Sequence, residues 1–144
     1  MLKIYTEQDE EKEVNEDNPI MDAFDALNGS WSIMPLYLKN TDPLLYYENV
    51  KLNIVDQNGN LIQQGLQSNN IYQLMKGVEP PTYEEWNKGT PPFVTLDMGS
   101  IGDSQNPDIE TFHPFWLRIF VHGQNTIGLD SEVSLEIEAI ERLI

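Results

Sequence analysis

From Phe115 onward the chain alternates in two runs, Phe-Trp-Leu-Arg-Ile-Phe-Val and Glu-Val-Ser-Leu-Glu-Ile-Glu-Ala-Ile, parted by a Gly- and Asn-containing segment from His122 to Ser131. In the second run Val133, Leu135, Ile137 and Ala139 share one face and Glu132, Ser134, Glu136 and Glu138 the other, the pattern of a half-buried strand. The first run sets Phe115, Leu117, Ile119 and Val121 against Trp116, Arg118 and Phe120, so both faces are largely apolar. Such a strand is either central in a packed sandwich or covered by another molecule. The same period of two recurs from Tyr46 to Val55, where Val50, Leu52 and Ile54 oppose Asn49, Lys51 and Asn53, and a shorter version opens the chain with Leu2, Ile4 and Tyr5. Trp31 to Leu38 also alternates. Pro35 interrupts it, and because proline cannot donate to a ladder, two short pieces joined by a kink are expected. Asn58-Gly59, within Asp56 to Asn60, predicts a tight hairpin with Leu61 to Gln64 as the returning strand. Phe93 to Met98 reads as a further strand before the loop Gly99 to Pro107. Seven or eight strands spaced by turn signals predict an all-β sandwich or related barrel.

Three stretches break the period. Ile71, Leu74, Met75 and Val78 recur at helical spacing, which predicts a short helical turn over Asn70 to Lys76. After Pro80-Pro81, Thr82-Tyr83-Glu84-Glu85 matches a capping box and predicts a short helix through Asn87, stopped by Gly89 and Pro91-Pro92, with Tyr83 and Trp86 packed over the sandwich. Glu7 to Asp25 carries nine carboxylates against Lys12 alone. Like charges this dense repel one another and leave little to bury. Residues 1–25 are therefore expected to form an acidic arm, partly extended or disordered, anchored through Leu2, Ile4 and Tyr5 to a sheet of this chain or of a neighbour. Residues 26–144 are expected to form one sandwich domain.

Composition narrows the chemistry. With 144 residues the chain is long enough for one domain to bury a core without staples. Cysteine is absent, which removes disulfides, thiol nucleophiles and thiolate metal sites together. A net charge of −16 opposes contact with phosphate backbones and anionic membrane, so neither nucleic acid nor membrane is an expected partner. Nothing approaches the ~20 consecutive apolar residues of a bilayer span. Met1 to Tyr5 runs straight into Glu-Gln-Asp-Glu-Glu-Lys-Glu without an apolar signal region, and a product made in the cytoplasm, or carried out within an assembly, is expected.

Catalytic signatures are lacking. His113 and His122 are the only histidines available to serve serines such as Ser100 or Ser104, and no Gly-x-Ser-x-Gly elbow accompanies them. Gly99-Ser-Ile-Gly102 lacks the Walker lysine and the dinucleotide spacing. Asp56 to Asn60 opens like a calcium loop but places Leu61 and Gln67 where glycine and a bidentate glutamate belong. Asp97, Asp103 and Asp108 form the one plausible oxygen-ligand loop, and turns built of Asp, Gly, Ser and Asn are common without any ion. No cofactor, metal or enzymatic activity is expected. What remains is surface recognition, for which tyrosine, tryptophan and arginine are the favoured residues. The expected contact residues are Trp116, Arg118 and Phe120 on the outer face of their strand, with Leu2, Ile4 and Tyr5 at the arm. In one register Trp116 and Arg118 lie across from Glu138 and Glu136 in a closing hairpin; in another, the two strands belong to opposite sheets.

Three phrases carry a family resemblance. Met34-Pro-Leu-Tyr-Leu-Lys-Asn-Thr-Asp42, Tyr47-Glu-Asn-Val-Lys-Leu-Asn-Ile-Val-Asp56 and His113-Pro-Phe-Trp-Leu-Arg-Ile-Phe-Val121, with Gly123 and Gly128 after the last, resemble small immunoglobulin-like β-sandwich domains among bacteriophage virion proteins. The resemblance implies an immunoglobulin-like or jelly-roll-like sandwich of about 7–8 strands with one short helical insertion. It further implies a non-enzymatic structural or accessory role in a virion assembled in the host cytoplasm, as capsid decoration or tail component. Other virion or assembly subunits, further copies of the chain included, would be its partners. A carbohydrate- or receptor-binding sandwich is the alternative expectation.

Overall fold

Alternation along the sequence becomes burial in space. The computed structural model describes residues 1–15, 30–56, 58–61, 71–87, 94–121 and 134–144. They contain β1 (Leu2–Tyr5), a single 3-10 turn (Glu10–Lys12), β2 (Ser30–Asn40), β3 (Leu45–Val55), β4 (Ile71–Lys76), α1 (Tyr83–Asn87), β5 (Thr95–Ile101), β6 (His113–Val121) and β7 (Ser134–Leu143). The strands form two antiparallel sheets, one in the order β1-β2-β6-β4 and the other β5-β3-β7. One core lies between them. The first sheet supplies Leu36, Leu38, Tyr72, Leu74, Phe115, Leu117 and Ile119, and the second Tyr47, Val50, Leu52, Ile54, Met98 and Ile101. The fold is an all-β sandwich.

The phase of β3 changes once. Tyr47 faces the core and so do Val50, Leu52 and Ile54, an odd position followed by even ones. A bulge reconciles them: the register shifts between Glu48 and Lys51, and Asn49 takes a positive φ of 52°. Gly99 of β5, with φ 73°, lies opposite Val50 at a matching shift.

Several sequence expectations are corrected. β2 is one strand of 11 residues, Pro35 included. β1 pairs only with residues 37–40 of β2, so at Pro35 the strand has β6 on one side and, among the described residues, no strand on the other, where a missing N–H is tolerated. Of the helical turn expected over Asn70 to Lys76, residues 71–76 instead form β4, with Tyr72 and Leu74 in the core and Gln73 on the opposite face, and Asn70 lies outside the described residues. Six residues satisfy both periods, and pairing with β6 settles which is used. Of the two arrangements expected for β6 and β7, the structure has the second: they lie in different sheets and close no hairpin.

The capping box forms as expected: the Thr82 N–H donates to Glu85 Oε1 at 3.1 Å and the Glu85 N–H to Thr82 Oγ1 at 3.2 Å. At the Asn-Gly turn Gly59 has φ 80°, Asp56 Oδ1 accepts from the N–H groups of Asn58 and Asn60, and Val55 bridges Leu61. The remainder of that expected return, residues 62–64, lies outside the described residues, as do 16–25 of the acidic arm.

The described part of the arm is folded onto the sheet. Beyond β1 the chain turns at Glu10–Lys12 and comes back, with the Thr6 N–H donating to Lys12 O at 3.0 Å and the Val14 N–H to Ile4 O at 2.7 Å. Two lysines offset the local charge: Glu10 meets Lys39 at 2.9 Å and Glu13 meets Lys3 at 3.4 Å.

Candidate interaction surfaces

The outer face of β6 carries Trp116, Arg118 and Phe120, the contact residues expected from the sequence. Its central cation is already covered. Arg118 is 2% exposed, and Gln73 Oε1 of β4 accepts from its Nε at 2.9 Å and from its Nη2. Above it lies Trp86, 1% exposed, with its ring 4.9 Å from the guanidinium carbon. α1 therefore acts as a cover, positioned by its capping box, and the cation over the indole face gains from the ring quadrupole. Trp116 is half-buried, and its Nε1 donates to Gly77 O at 3.0 Å. Phe120 lies in β6 opposite Trp31 and Ile71, and its side chain is outside the described set.

Leu2, Ile4 and Tyr5 also turn inward. Leu2 and Ile4 enter the core, while Tyr5 is buried on the other face against Phe112, ring centroids 5.4 Å apart and nearly perpendicular. Burial, then the carboxylates of Glu13 and Glu10, hold the Tyr5 phenol above its ordinary pKa. Phe112 also packs edge-on to Tyr37 and lies 5.5 Å from Lys39 Nζ, which donates to Ile109 O. This corner is a closed internal joint. Beside it, fully buried Asn40 donates from Nδ2 to the carbonyls of Asp42, Leu45 and Pro107, at 3.2, 2.8 and 2.9 Å, tying two turns to one strand end.

Ser100 and His113, named as candidates in the sequence, do share a cavity of about 240 Å³, lined also by Lys76, Val78 and Met98. His113 Nε2 lies 2.8 Å from Asp108 Oδ2. In a serine-activating triad the carboxylate normally takes Nδ1 and leaves Nε2 for the serine. Here the order is reversed, and the pair staples the 102–108 turn to the start of β6. The aspartates proposed as oxygen ligands are engaged locally as well, Asp97 Oδ1 accepting from Gly99 N–H and Asp103 Oδ1 from Gln105 and Asn106 N–H. Among the described residues no three His, Asp or Glu side chains converge as metal ligands.

Among the described residues two further surfaces stand out. At one end of the sandwich Leu44 is 68% exposed, Leu143 79% and Ile144 49%. The Ile144 N–H donates to Leu44 O at 3.0 Å and Leu45 pairs with Leu143, so the three exposed residues lie close together at this end. The second surface is the outer edge of β7, which ends its sheet. Both were missed from sequence. Leu143 and Ile144 lie past the alternation that ended at Ile140, and strand order is invisible to periodicity.

No protein-family model matches this sequence, and no curated protein or solved structure matches it either.

Proposed function

We propose that this chain is a non-enzymatic assembly subunit that works through protein–protein contacts, a structural or accessory protein of a bacteriophage virion, as capsid decoration or tail component, assembled in the host cytoplasm. The observation that carries the reading is the apolar end formed by Leu44, Leu143 and Ile144 on a chain of net charge −16. A strongly charged, soluble surface that keeps a cluster of large apolar side chains in water is the usual mark of an interface. The virion assignment draws on the three phrases from residues 34–42, 47–56 and 113–121, which supply β2, β3 and β6. A glycan-binding reading would want displayed aromatic faces, and Trp86 is covered.

The test is association. Sedimentation and native mass measurement of the full chain, alone and with purified particles, should show assembly that Leu44→Asp with Leu143→Asp abolishes while the circular dichroism spectrum is unchanged. A strictly monomeric chain that binds no particle defeats the reading.

A further inference from the structure

Each sheet of a sandwich ends in two edge strands, and the four here are not alike. β1 is overlaid by the returning residues 13–15, and β4 lies against β5 across the gap between the sheets. β7 has no neighbour beyond it among the described residues, although it is 10 residues long. Its core-facing side chains differ too. Among the described inward apolar residues of β2 to β6 all are buried but Leu45 and Leu96, whereas in β7 all three, Leu135, Ile137 and Ala139, pack on the core and remain half-exposed. Among the described residues one sheet has four strands and the other three, and because β4 and β5 adjoin, the position without a described strand is the one beside β7.

We infer that the outer edge of β7 is a docking site for an extended segment of another protein in which apolar residues alternate with lysine or arginine. The inference rests on the assembly reading above and names the chemistry of one partner. A row of unpaired N–H and C=O groups is a template for an added strand, and the side chains on its two faces set what that strand must carry. On the inner face, apolar residues would finish the cover over Leu135, Ile137 and Ala139. On the outer face stand the exposed carboxylates of Glu136 and Glu138. Their neighbours in β3 are Asn53 and Lys51, and Lys51 is shared with Asp97 of β5, so the local balance stays acidic. Directly opposed unlike charges stabilise a strand pair and like charges oppose it. A second copy of this chain, with the same β7 and the same net charge of −16, matches poorly.

The probe is a peptide of 10 residues, equal in length to β7, alternating valine and lysine; controls are the same peptide with glutamate for lysine, and one with the same valines and lysines in separate blocks. Backbone resonances and amide exchange of the full chain report where it binds. Expected is slowed exchange confined to residues 134–143, no binding of the glutamate peptide, and at least about tenfold weaker binding to Glu136→Lys with Glu138→Gln, both exposed positions that leave the β3 pairing intact. Equal binding of the block peptide, or perturbation spread over the acidic surface, overturns the proposal in favour of plain charge attraction. Protection of 134–143 that depends on protein concentration without peptide overturns it in favour of a second copy. Particle association that survives the Glu136 and Glu138 changes while the peptide fails to bind defeats this inference and leaves the assembly reading standing; peptide binding by a chain that joins no particle does the reverse.

Discussion

Tyr47 shows how one side chain can set a chemical limit on the fold. It faces the core at the end of β3, and its hydroxyl donates to Glu141 Oε1 at 3.3 Å. Burial first, then the Glu141 carboxylate and the hydrogen bond to it, then Asp42, push its pKa up to about 12 from 10.0. Each of these favours the neutral phenol in the folded state. Below pH 10 the tyrosine is protonated in folded and unfolded chains alike, and its contribution is fully present. As pH rises from about 10 to about 12 the unfolded chain ionises first, so stability falls across that window. Denaturant titrations through the window should show the decline in the natural chain and a shallower one in Tyr47→Phe; identical slopes would remove Tyr47 as the cause. The same hydrogen bond accounts for the position of Glu141. Glu141 continues the core-facing phase of β7 beyond Ala139, yet it can sit there because it lies at the sheet's edge and meets a phenol.

Elements here depend on a few backbone positions. Gly102 has φ 81°, and a Cβ placed on it would lie 2.7 Å from both Asn106 O and Pro107 O, so the turn from Gly102 to Asp108 can close only around glycine. Pro107 O is also one of the three carbonyls held by Asn40. Gly102→Ala should therefore cost more than about 2 kcal/mol, and its effect should add less than fully to that of Asn40→Ala, because both release the same carbonyl. Full additivity in a double-mutant cycle of urea midpoints would separate the two. At this scale much was legible in the sequence. The strands at 46–55, 113–121 and the closing run, the Asn-Gly turn and the α1 capping box all follow from signals within a few residues. β4 was misread because its six residues fit two periods, and β2 because Pro35 meets the rule against proline in a ladder only once its neighbours are known.

Charge governs the whole molecule. Four of the described basic side chains are engaged close to home, Lys3 with Glu13, Lys39 with Glu10, Arg142 with Glu48 and Arg118 in the buried cluster under Trp86, while most described carboxylates remain on the surface. A net charge of −16 makes the compact state repel itself, and salt shortens the reach of that repulsion to ~10 Å at 0.1 M. The unfolding midpoint should rise with sodium chloride and rise equally with a calcium salt at matched ionic strength. A much larger effect of calcium would reveal a specific site that the separately engaged Asp97, Asp103 and Asp108 do not suggest.

Which residues face inward is a local matter: side chains alternate along any strand, so Phe115, Leu117 and Ile119, or Val50, Leu52 and Ile54, were assigned to the core by the sequence alone. The all-β class, the acidic surface and the sharp turns were determined in the same way. Tertiary structure alone decided which strands lie side by side. That pairing depends on contacts between residues tens of positions apart, for which periodicity carries no signal. It put Gln73 and Trp86 over Arg118, covering the cation on the outer face of β6, and among the described residues it left β7 at the end of its sheet with no strand along its outer edge.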